Sequence, residues 1–282
     1  MSGVIPDVVL NDGHTIPVLG YGVFEIPDAR VTDCVLRALE CGYRHIDTAQ
    51  IYGNEAGVGK AAESSGIPRD ELFITSKVWV KNYGYDKTLE SVERSLEKLR
   101  TDRIDLMLLH RPYFDYKGAW KALETARERG MVRSIGLSNF TESQTLEILN
   151  MCNVAPAVNQ IELHPYFTQA PLKRFLGEND IATEAWYPLG HGNKKLNGEP
   201  LFAELAQKYG KTTAQIILRW HVQSGHIVFP KACGSEHIRE NTEIFDFVLE
   251  SSEMERINGL NKNKPLFRVP DWVQKLQIKL SR

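Results

Sequence analysis

Apolar segments of strand length alternate with segments of helical periodicity along most of the chain. Several strand-like segments lack polar alternation, which is typical of parallel strands that are covered on both faces. Between them, residues 86–99 place apolar side chains at helical spacing, with glutamates and lysines on the other faces. The pattern predicts eight strands, at residues 18–23, 44–47, 72–77, 104–110, 132–138, 157–162, 181–186 and 226–229.

The boundaries of the intervening helices agree with this reading. Thr141 followed by Gln144, and Thr212 followed by Gln215, predict capping boxes at two helix starts, while Gly210 stands where a helix should end. Alternating strands and helices indicate βα units and a parallel sheet. Eight such units favour a closed (β/α)8 TIM barrel of the α/β class over an open doubly wound sheet, and we predict a single domain over residues 1–282.

Segments at both ends of the chain lie outside these eight units. Residues 8–17 predict a β-hairpin that turns at Asp12 and Gly13, and we expect it to cover the barrel bottom. The tail at 260–282 is interrupted by Pro265 and Pro270. Because it follows the eighth unit, we expect this tail to fold over the barrel mouth and to help shape a substrate pocket.

Composition and charge argue against nucleic-acid binding, membrane insertion and metal binding. The chain has 282 residues, a hydrophobic content of 42% and a net charge of −2, which gives no electrostatic argument for binding nucleic acid or an anionic membrane. No apolar run approaches the roughly 18 residues of a membrane span, and the first residues do not resemble a secretory leader. The four cysteines and eight histidines show no metal-type spacing, so no metal is expected. We predict a cytoplasmic protein.

Three ionisable residues each close a predicted strand: Asp47, Lys77 and His110, and Tyr52 follows the first of them. In a parallel barrel the carboxyl ends of the strands converge on one face, where catalytic residues gather. A tyrosine, whose free pKa is about 10, is a poor proton donor at neutral pH, and a neighbouring ammonium group lowers that pKa. A carboxylate beside the ammonium keeps it charged and in place. The four residues therefore predict a catalytic site in which His110 orients a carbonyl oxygen.

The chain resembles the aldo-keto reductase family over nearly its whole length. The resemblance rests on eight motifs in the family's order: Gly20-Tyr-Gly-Val-Phe, His45-Ile-Asp-Thr-Ala-Gln-Ile-Tyr-Gly-Asn-Glu, Ile74-Thr-Ser-Lys-Val-Trp, Leu108-Leu-His-Arg-Pro, Ile135-Gly-Leu-Ser-Asn-Phe, Val158-Asn-Gln-Ile-Glu-Leu-His-Pro, Ala185-Trp-Tyr-Pro-Leu-Gly and Phe229-Pro-Lys.

This resemblance implies a barrel that binds NADPH without a Rossmann fold and transfers hydride to a small-molecule aldehyde or ketone. It assigns Tyr52 as the general acid, Lys77 and Asp47 as the residues that lower its pKa, and His110 as the residue that orients the substrate. The family also implies a monomer. All four positions are intact, so we expect a working enzyme.

The resemblance further implies a nicotinamide site. Ser138, Asn139 and Gln160 would hold the carboxamide, because their side chains supply the mixed donors and acceptors that it needs. Trp186 stands at the position of the aromatic residue that stacks on the nicotinamide ring. The loops expected beside the cofactor and its pyrophosphate contain Gly22, Val23, Leu189 and Gly190.

The adenosine end departs from the family pattern. NADPH-preferring members usually have Lys-Ser and then an Arg six residues after the Lys, whereas here Lys231 is followed by Ala232, and His237 stands at the Arg position. Histidine replaces a permanent bidentate cation with a group that is mostly neutral at pH 7. Glu240 and Asn241 match the positions that contact adenine and ribose. We predict NADPH binding with weakened discrimination against NADH.

The resemblance places Phe24, Trp79 and Arg111 around the bound carbonyl. Phe24 and Trp79 indicate an apolar or aromatic substrate body. Arg111 directly follows the catalytic histidine, and two roles stay open for it: recognition of a substrate carboxylate, or exposure to solvent.

Two other functions stay open at this stage. A Schiff-base aldolase would also use a lysine at a barrel strand end, although Asp47 would raise the pKa of Lys77 when a nucleophile needs it lowered. A nucleotide-sensing interaction subunit is the second alternative, since aldo-keto reductase-like barrels also serve as regulatory subunits of potassium channels. The intact catalytic residues argue against it.

Overall fold

A computed structural model describes residues 4–267 and 269–280 of the chain. It contains a two-stranded antiparallel hairpin and an eight-stranded parallel sheet in which the strands follow one another in chain order. The strands are β1 (Asp7–Val9), β2 (Thr15–Pro17), β3 (Tyr21–Gly22), β4 (His45–Asp47), β5 (Phe73–Val78), β6 (Ile104–Leu109), β7 (Val132–Ser138), β8 (Val158–Glu162), β9 (Ala182–Trp186) and β10 (Ile227–Val228).

The sheet curls until its two edge segments meet. The backbone N–H of Val228 donates to the carbonyl of Val18 at 2.9 Å, and Gly20 N–H donates to the carbonyl of Val228 at 2.8 Å. At this seam a side chain on Gly20 would lie 2.7 Å from the Phe229 ring, so only glycine permits the close approach. The predicted (β/α)8 TIM barrel is confirmed, although the strand predicted at 18–23 is shortened to β3 by this seam.

Helices connect the strands and cover the outside of the barrel. They are α1 (Asp28–Glu40), α2 (Glu55–Ser64), α3 (Tyr85–Leu99), α4 (Tyr116–Glu128), α5 (Glu142–Leu149), α6 (Ala170–Glu178), α7 (Lys194–Asn197), α8 (Pro200–Tyr209), α9 (Thr213–Gln223), α10 (Ser235–Glu240), α11 (Ser251–Asn258) and α12 (Asp271–Leu280). Both predicted capping boxes, at Thr141 and Thr212, are confirmed. Within the described ranges, no helix is long and apolar enough to cross a membrane.

The N-terminal hairpin covers the barrel bottom, as predicted. Its residues Leu10 and Ile16 pack in one apolar cluster with Phe73, Leu106 and Ile227, which lie near the starts of their strands. The hairpin therefore closes the end of the barrel that faces away from the predicted site.

The C-terminal tail passes over the opposite end, also as predicted. Lys262 N–H donates to the carbonyl of Tyr166 at 2.9 Å, and the backbone N–H groups of Leu266 and Phe267 donate to Glu162 Oε1 at 2.5 and 3.2 Å. Glu162 is the last residue of β8, so these bonds tie the tail to the rim of the mouth. Residues 268, 281 and 282 of the predicted tail lie outside the described part of the chain.

Candidate active site

A buried ion pair forms the inner wall of the site. The Lys77 ammonium lies 2.7 and 2.9 Å from the two carboxylate oxygens of Asp47 and donates to the carbonyl of Thr48 at 2.9 Å. Burial alone would lower the pKa of Lys77, but the charge of Asp47 outweighs it and the net pKa is raised. Lys77 is therefore a permanent cation, held in place on all sides within the barrel.

Tyr52 ends a short 3-10 turn after β4, and its hydroxyl lies 3.4 Å from the Lys77 ammonium. Burial raises the pKa of Tyr52, and Lys77 opposes this rise by favouring the phenolate, whereas Asp47 adds to it. The lowering by Lys77 is outweighed by burial, and the direct effect of Asp47 on the Tyr52 pKa is opposite to that of Lys77. Tyr52 holds its proton at neutral pH, and the adjacent cation is placed to stabilise the phenolate once that proton has left.

His110 directly follows β6 and lies edge-on to the rings of Tyr52 and Trp79, at centroid distances of 5.9 and 5.2 Å. Burial lowers the pKa of His110 well below its ordinary value, and the charges of Lys77 and Arg111 act in the same direction. The imidazole is therefore neutral. Its Nδ1 is buried without a hydrogen-bond partner among the residues described, which leaves Nε2 to serve the cleft.

Asn139 fixes the ring of Trp186. It follows β7 with a φ of 64°, a left-handed conformation that asparagine tolerates better than most residues. In this conformation its Oδ1 accepts from Trp186 Nε1 at 2.9 Å, while its Nδ2 donates to the His110 carbonyl at 3.1 Å and to Ser138 Oγ at 2.9 Å. The predicted nicotinamide-site residues Ser138, Asn139 and Trp186 are thus linked to one another and to the backbone of His110.

Glu184 is a site residue that the sequence reading missed. Gln160 donates through Nε2 to Asp47 Oδ2 at 2.9 Å and to Glu184 Oε2 at 3.0 Å, and Glu184 is fully buried. Because both amide protons of Gln160 are used, its Oε1 remains as an acceptor. A glutamate inside an apolar strand of a barrel was the signal available, since a charged residue there must be paired or neutral.

Burial raises the pKa of Glu184 to about 8, and the negative charge of Asp47 adds to the effect. Because the folded protein then holds this proton more tightly than the unfolded chain, stability is lost as the pH rises from about 4.5 through about 8. The expected slope is about 1.4 kcal/mol for each pH unit in that window.

We therefore expect Glu184→Gln to remove this loss, so that the variant gains stability over the wild type between pH 5.5 and pH 8, by up to about 3 kcal/mol. Urea unfolding across that pH range measures it. Glu97→Gln, on the exposed face of α3, is the matched control, and its free energy of unfolding should change with pH as that of the wild type does. If the free energy of unfolding of Glu184→Gln also follows the wild type across this pH range, the raised pKa of Glu184 is wrong.

Most of the predicted residues line one cleft of about 890 Å³ at the barrel mouth, whereas Lys77 lies behind this surface in its ion pair with Asp47. Those that reach its surface are Gly22, Phe24, Asp47, Tyr52, Trp79, His110, Arg111, Ser138, Asn139, Gln160, Trp186, Leu189, Lys231, His237, Glu240 and Asn241. Further lining residues were missed, among them Tyr187, His191, Thr213, Phe229 and Phe267. For Tyr187, the sequence signal was its position directly after Trp186.

Val23 and Gly190 were expected beside the cofactor, but neither residue lines this cleft, so their contact with the cofactor stays a prediction. Val23 is fully buried in the core. Gly190 has a φ of 64°, and a side chain there would lie 2.6 Å from Leu196 and 3.1 Å from Leu266. Glycine is thus required by close packing behind the cleft wall.

A chain of hydrogen bonds holds the loop after β9. The Lys173 ammonium can only donate, so His226 accepts at Nε2 (3.0 Å) and carries its proton on Nδ1. That proton reaches His221 Nδ1 at 3.3 Å, and His221 Nε2–H then donates to the Pro188 carbonyl at 3.1 Å. Pro188 lines the cleft between Tyr187 and Leu189. These hydrogen bonds hold the cleft-lining loop in place.

The part of the cleft expected to hold adenosine contains a local ion pair. His237 Nδ1 lies 3.0 Å from Glu240 Oε2, and this contact raises the pKa of His237. His237 is therefore protonated more readily than the sequence reading assumed. Its charge is nevertheless shared with an adjacent carboxylate, so it attracts a phosphate less than a free arginine would.

Comparison with known proteins agrees with this fold. A sequence profile described as the Aldo/keto reductase family matches residues 18–262. An aldo-keto reductase of Mycobacterium sp. (strain MCS) is 44% identical over 261 residues, covering 92% of both chains. Methylglyoxal reductase DkgA of Yersinia pestis is 44% identical, covering 94% of this chain and 96% of its own. The crystal structure of a Bombyx mori aldo-keto reductase in complex with NADP superposes with a TM-score of 0.90 at 34% identity, covering 96% of this chain and 97% of that one.

The family match and these relatives, together with the parallel (β/α)8 barrel, show an oxidoreductase of the aldo-keto reductase class. The chain belongs to the aldo/keto reductase family, as its ordered motifs predicted.

Proposed function

We propose that this protein reduces an aldehyde or ketone to an alcohol with NADPH or NADH. The observation that supports the proposal most is the contact between Tyr52 and the buried Lys77–Asp47 pair on the wall of the cleft. The methylglyoxal reductase and the NADP complex among the relatives favour the same class of reaction. Single-domain organisation, a monomeric state and a cytoplasmic location stay predictions.

The lining residues fit a nicotinamide nucleotide. Ser138, Asn139 and Gln160 supply polar groups at one end of the cleft, where the unused Gln160 Oε1 suits the amide N–H of a carboxamide. At the other end Lys231 supplies a cation for the phosphates. Trp186, held by Asn139, offers a fixed flat ring between the two ends.

In this mechanism the bound nicotinamide supplies the hydride. His110 Nε2–H donates a hydrogen bond to the substrate's carbonyl oxygen and orients it. Tyr52 then donates its proton to that oxygen as negative charge develops there. Lys77 stabilises the resulting phenolate, and Asp47 holds Lys77 in position.

The direct test is the initial rate of NADPH and NADH oxidation, side by side, with a panel of aldehydes, ketones and oxo acids. Turnover of any of them is the expected result. Tight nucleotide binding without turnover would favour the nucleotide-sensing alternative, and absence of nucleotide binding would contradict the proposal.

The geometry disfavours the Schiff-base aldolase alternative. The Lys77 ammonium contacts both oxygens of Asp47 and the Thr48 carbonyl, and its pKa is raised, whereas an amine nucleophile must be neutral. Borohydride should therefore trap no carbonyl compound on Lys77, as judged by intact-protein mass spectrometry.

We expect His237→Arg to raise the NADPH/NADH ratio of kcat/KM by roughly tenfold, because arginine adds a permanent bidentate cation worth about 1.5 kcal/mol to a 2′-phosphate. Steady-state kinetics with both nucleotides measure the ratio. His14→Arg, exposed in the hairpin at the barrel bottom, is the matched control. An unchanged ratio for His237→Arg would show that this position does not read the 2′-phosphate.

A further inference from the structure

Arg111 lies where two cavities meet at the barrel mouth. It lines the active-site cleft and also a second cavity of about 520 Å³ beneath the C-terminal tail. Its backbone is fixed from both sides by the buried Tyr83, whose hydroxyl accepts from Arg111 N–H at 3.2 Å and donates to the Arg111 carbonyl at 2.9 Å. The guanidinium carbon lies 5.2 Å from the centroid of the Phe267 ring, so the tail holds the side chain against the mouth.

The Arg111 guanidinium has no carboxylate partner among the described side chains, which leave out residues 1–3, 268, 271, 277, 281 and 282. It also donates no hydrogen bond to these described residues. Glu162 lines the second cavity together with Arg111. Its Oε1 is already engaged by the N–H groups of Leu266 and Phe267 and by the ring of His164.

The positive charge of Arg111 acts on Tyr52 and His110. It contributes a lowering of the pKa of each, against the larger rise that burial causes at Tyr52, so the guanidinium influences the place where a carbonyl would be held. Lys231, the cation expected to contact the nucleotide phosphates, follows β10, whereas Arg111 follows β6 on the opposite side of the barrel. We therefore infer that Arg111 faces an anionic group of the substrate and that Lys231 faces the phosphates.

A half-buried guanidinium stacked on an aromatic ring presents a rigid fork of donors that matches a carboxylate. The surrounding walls, Phe24, Trp79 and Phe267, suit an apolar linker. We propose, building on the carbonyl-reductase function above, that the preferred substrates are oxo acids: aldehydes or ketones that carry a carboxylate, which Arg111 binds while His110 and Tyr52 act on the carbonyl.

The test compares kcat/KM for a substrate that carries a carboxylate with kcat/KM for its uncharged methyl ester. Terephthalaldehydic acid and its methyl ester share the aldehyde and the ring and differ in the carboxylate. With saturating NADPH, we expect kcat/KM for the acid to exceed that for the ester by roughly 10- to 100-fold, as for one charge-assisted hydrogen bond. Raising the ionic strength should reduce this ratio.

Arg111→Met keeps the length of the side chain and its packing on Phe267 but removes the charge. It should lower the acid/ester ratio by roughly 10- to 100-fold, mainly through KM for the acid. Arg111→Lys should give an intermediate ratio, because it retains the charge without the fork. Arg94→Met, on the exposed face of α3, should leave the ratio unchanged.

Equal kcat/KM for acid and ester in the wild type would overturn the inference, and so would an Arg111→Met variant that lowers both equally. In either case, reduction of the ester or of another neutral aldehyde would leave the carbonyl-reductase function standing. If no carbonyl compound is reduced while both nucleotides are tested, the proposed function itself fails.

Discussion

Tyr52→Phe is expected to lower kcat by about 10²- to 10⁴-fold while nucleotide affinity stays within a few-fold of the wild type. The substitution removes the hydroxyl that lies 3.4 Å from the Lys77 ammonium and leaves the ring, which packs against Phe24 at a centroid distance of 5.0 Å. The carbonyl would then lack its proton donor, while the cleft keeps its shape. Single-turnover reduction and a separate titration of nucleotide binding distinguish the two effects.

The matched control is Tyr85→Phe at the start of α3. It removes an equivalent hydroxyl, bonded to Thr125 on the exposed surface at 3.0 Å, and should change kcat by less than about twofold. If Tyr52→Phe retains turnover within a few-fold of the wild type, the proton comes from another group and the proposed mechanism is wrong.

Lys77→Met is expected to damage both stability and catalysis. Removing the ammonium leaves the Asp47 carboxylate buried without its partner, which costs about 3–5 kcal/mol and lowers Tm on the order of 10 °C. The same substitution removes the cation beside the Tyr52 hydroxyl, so kcat should fall by about 100-fold or more. Calorimetry and steady-state kinetics measure the two losses separately.

A second variant separates the structural role from the catalytic one. Asp47→Asn combined with Lys77→Met removes both charges, so it should recover much of the lost Tm because no buried charge is left unpaired. Activity should not recover, since the phenolate of Tyr52 would still lack its cation. A double variant that regains activity together with Tm would show that Lys77 acts only by holding the fold.

The architecture followed from local patterns. The eight strands and the two capping boxes are local features, and apolar periodicity or cap chemistry specifies each of them within a few residues. Asp47, Lys77 and His110 were also predictable as neighbours, because the carboxyl ends of parallel barrel strands must converge whatever the sequence between them.

Other parts of the site depended on distances between strands that are remote in sequence. Glu184 and Asp47 are brought together through Gln160, and only that meeting in a buried layer raises the pKa of Glu184 to about 8. Likewise, the carboxylate of Glu240 changes the charge that His237 presents, and the tail places Phe267 under the guanidinium of Arg111.

The amino-acid sequence by itself therefore determined the barrel, the family and the residue types at the strand ends, since these depend on short-range periodicity and on motif order. The tertiary structure decided the protonation of Tyr52 and Glu184, and it left Arg111 without a carboxylate partner among the side chains that it describes. The physical reason is that burial and charge–charge energies depend on every group nearby, and the folded barrel sets which groups those are.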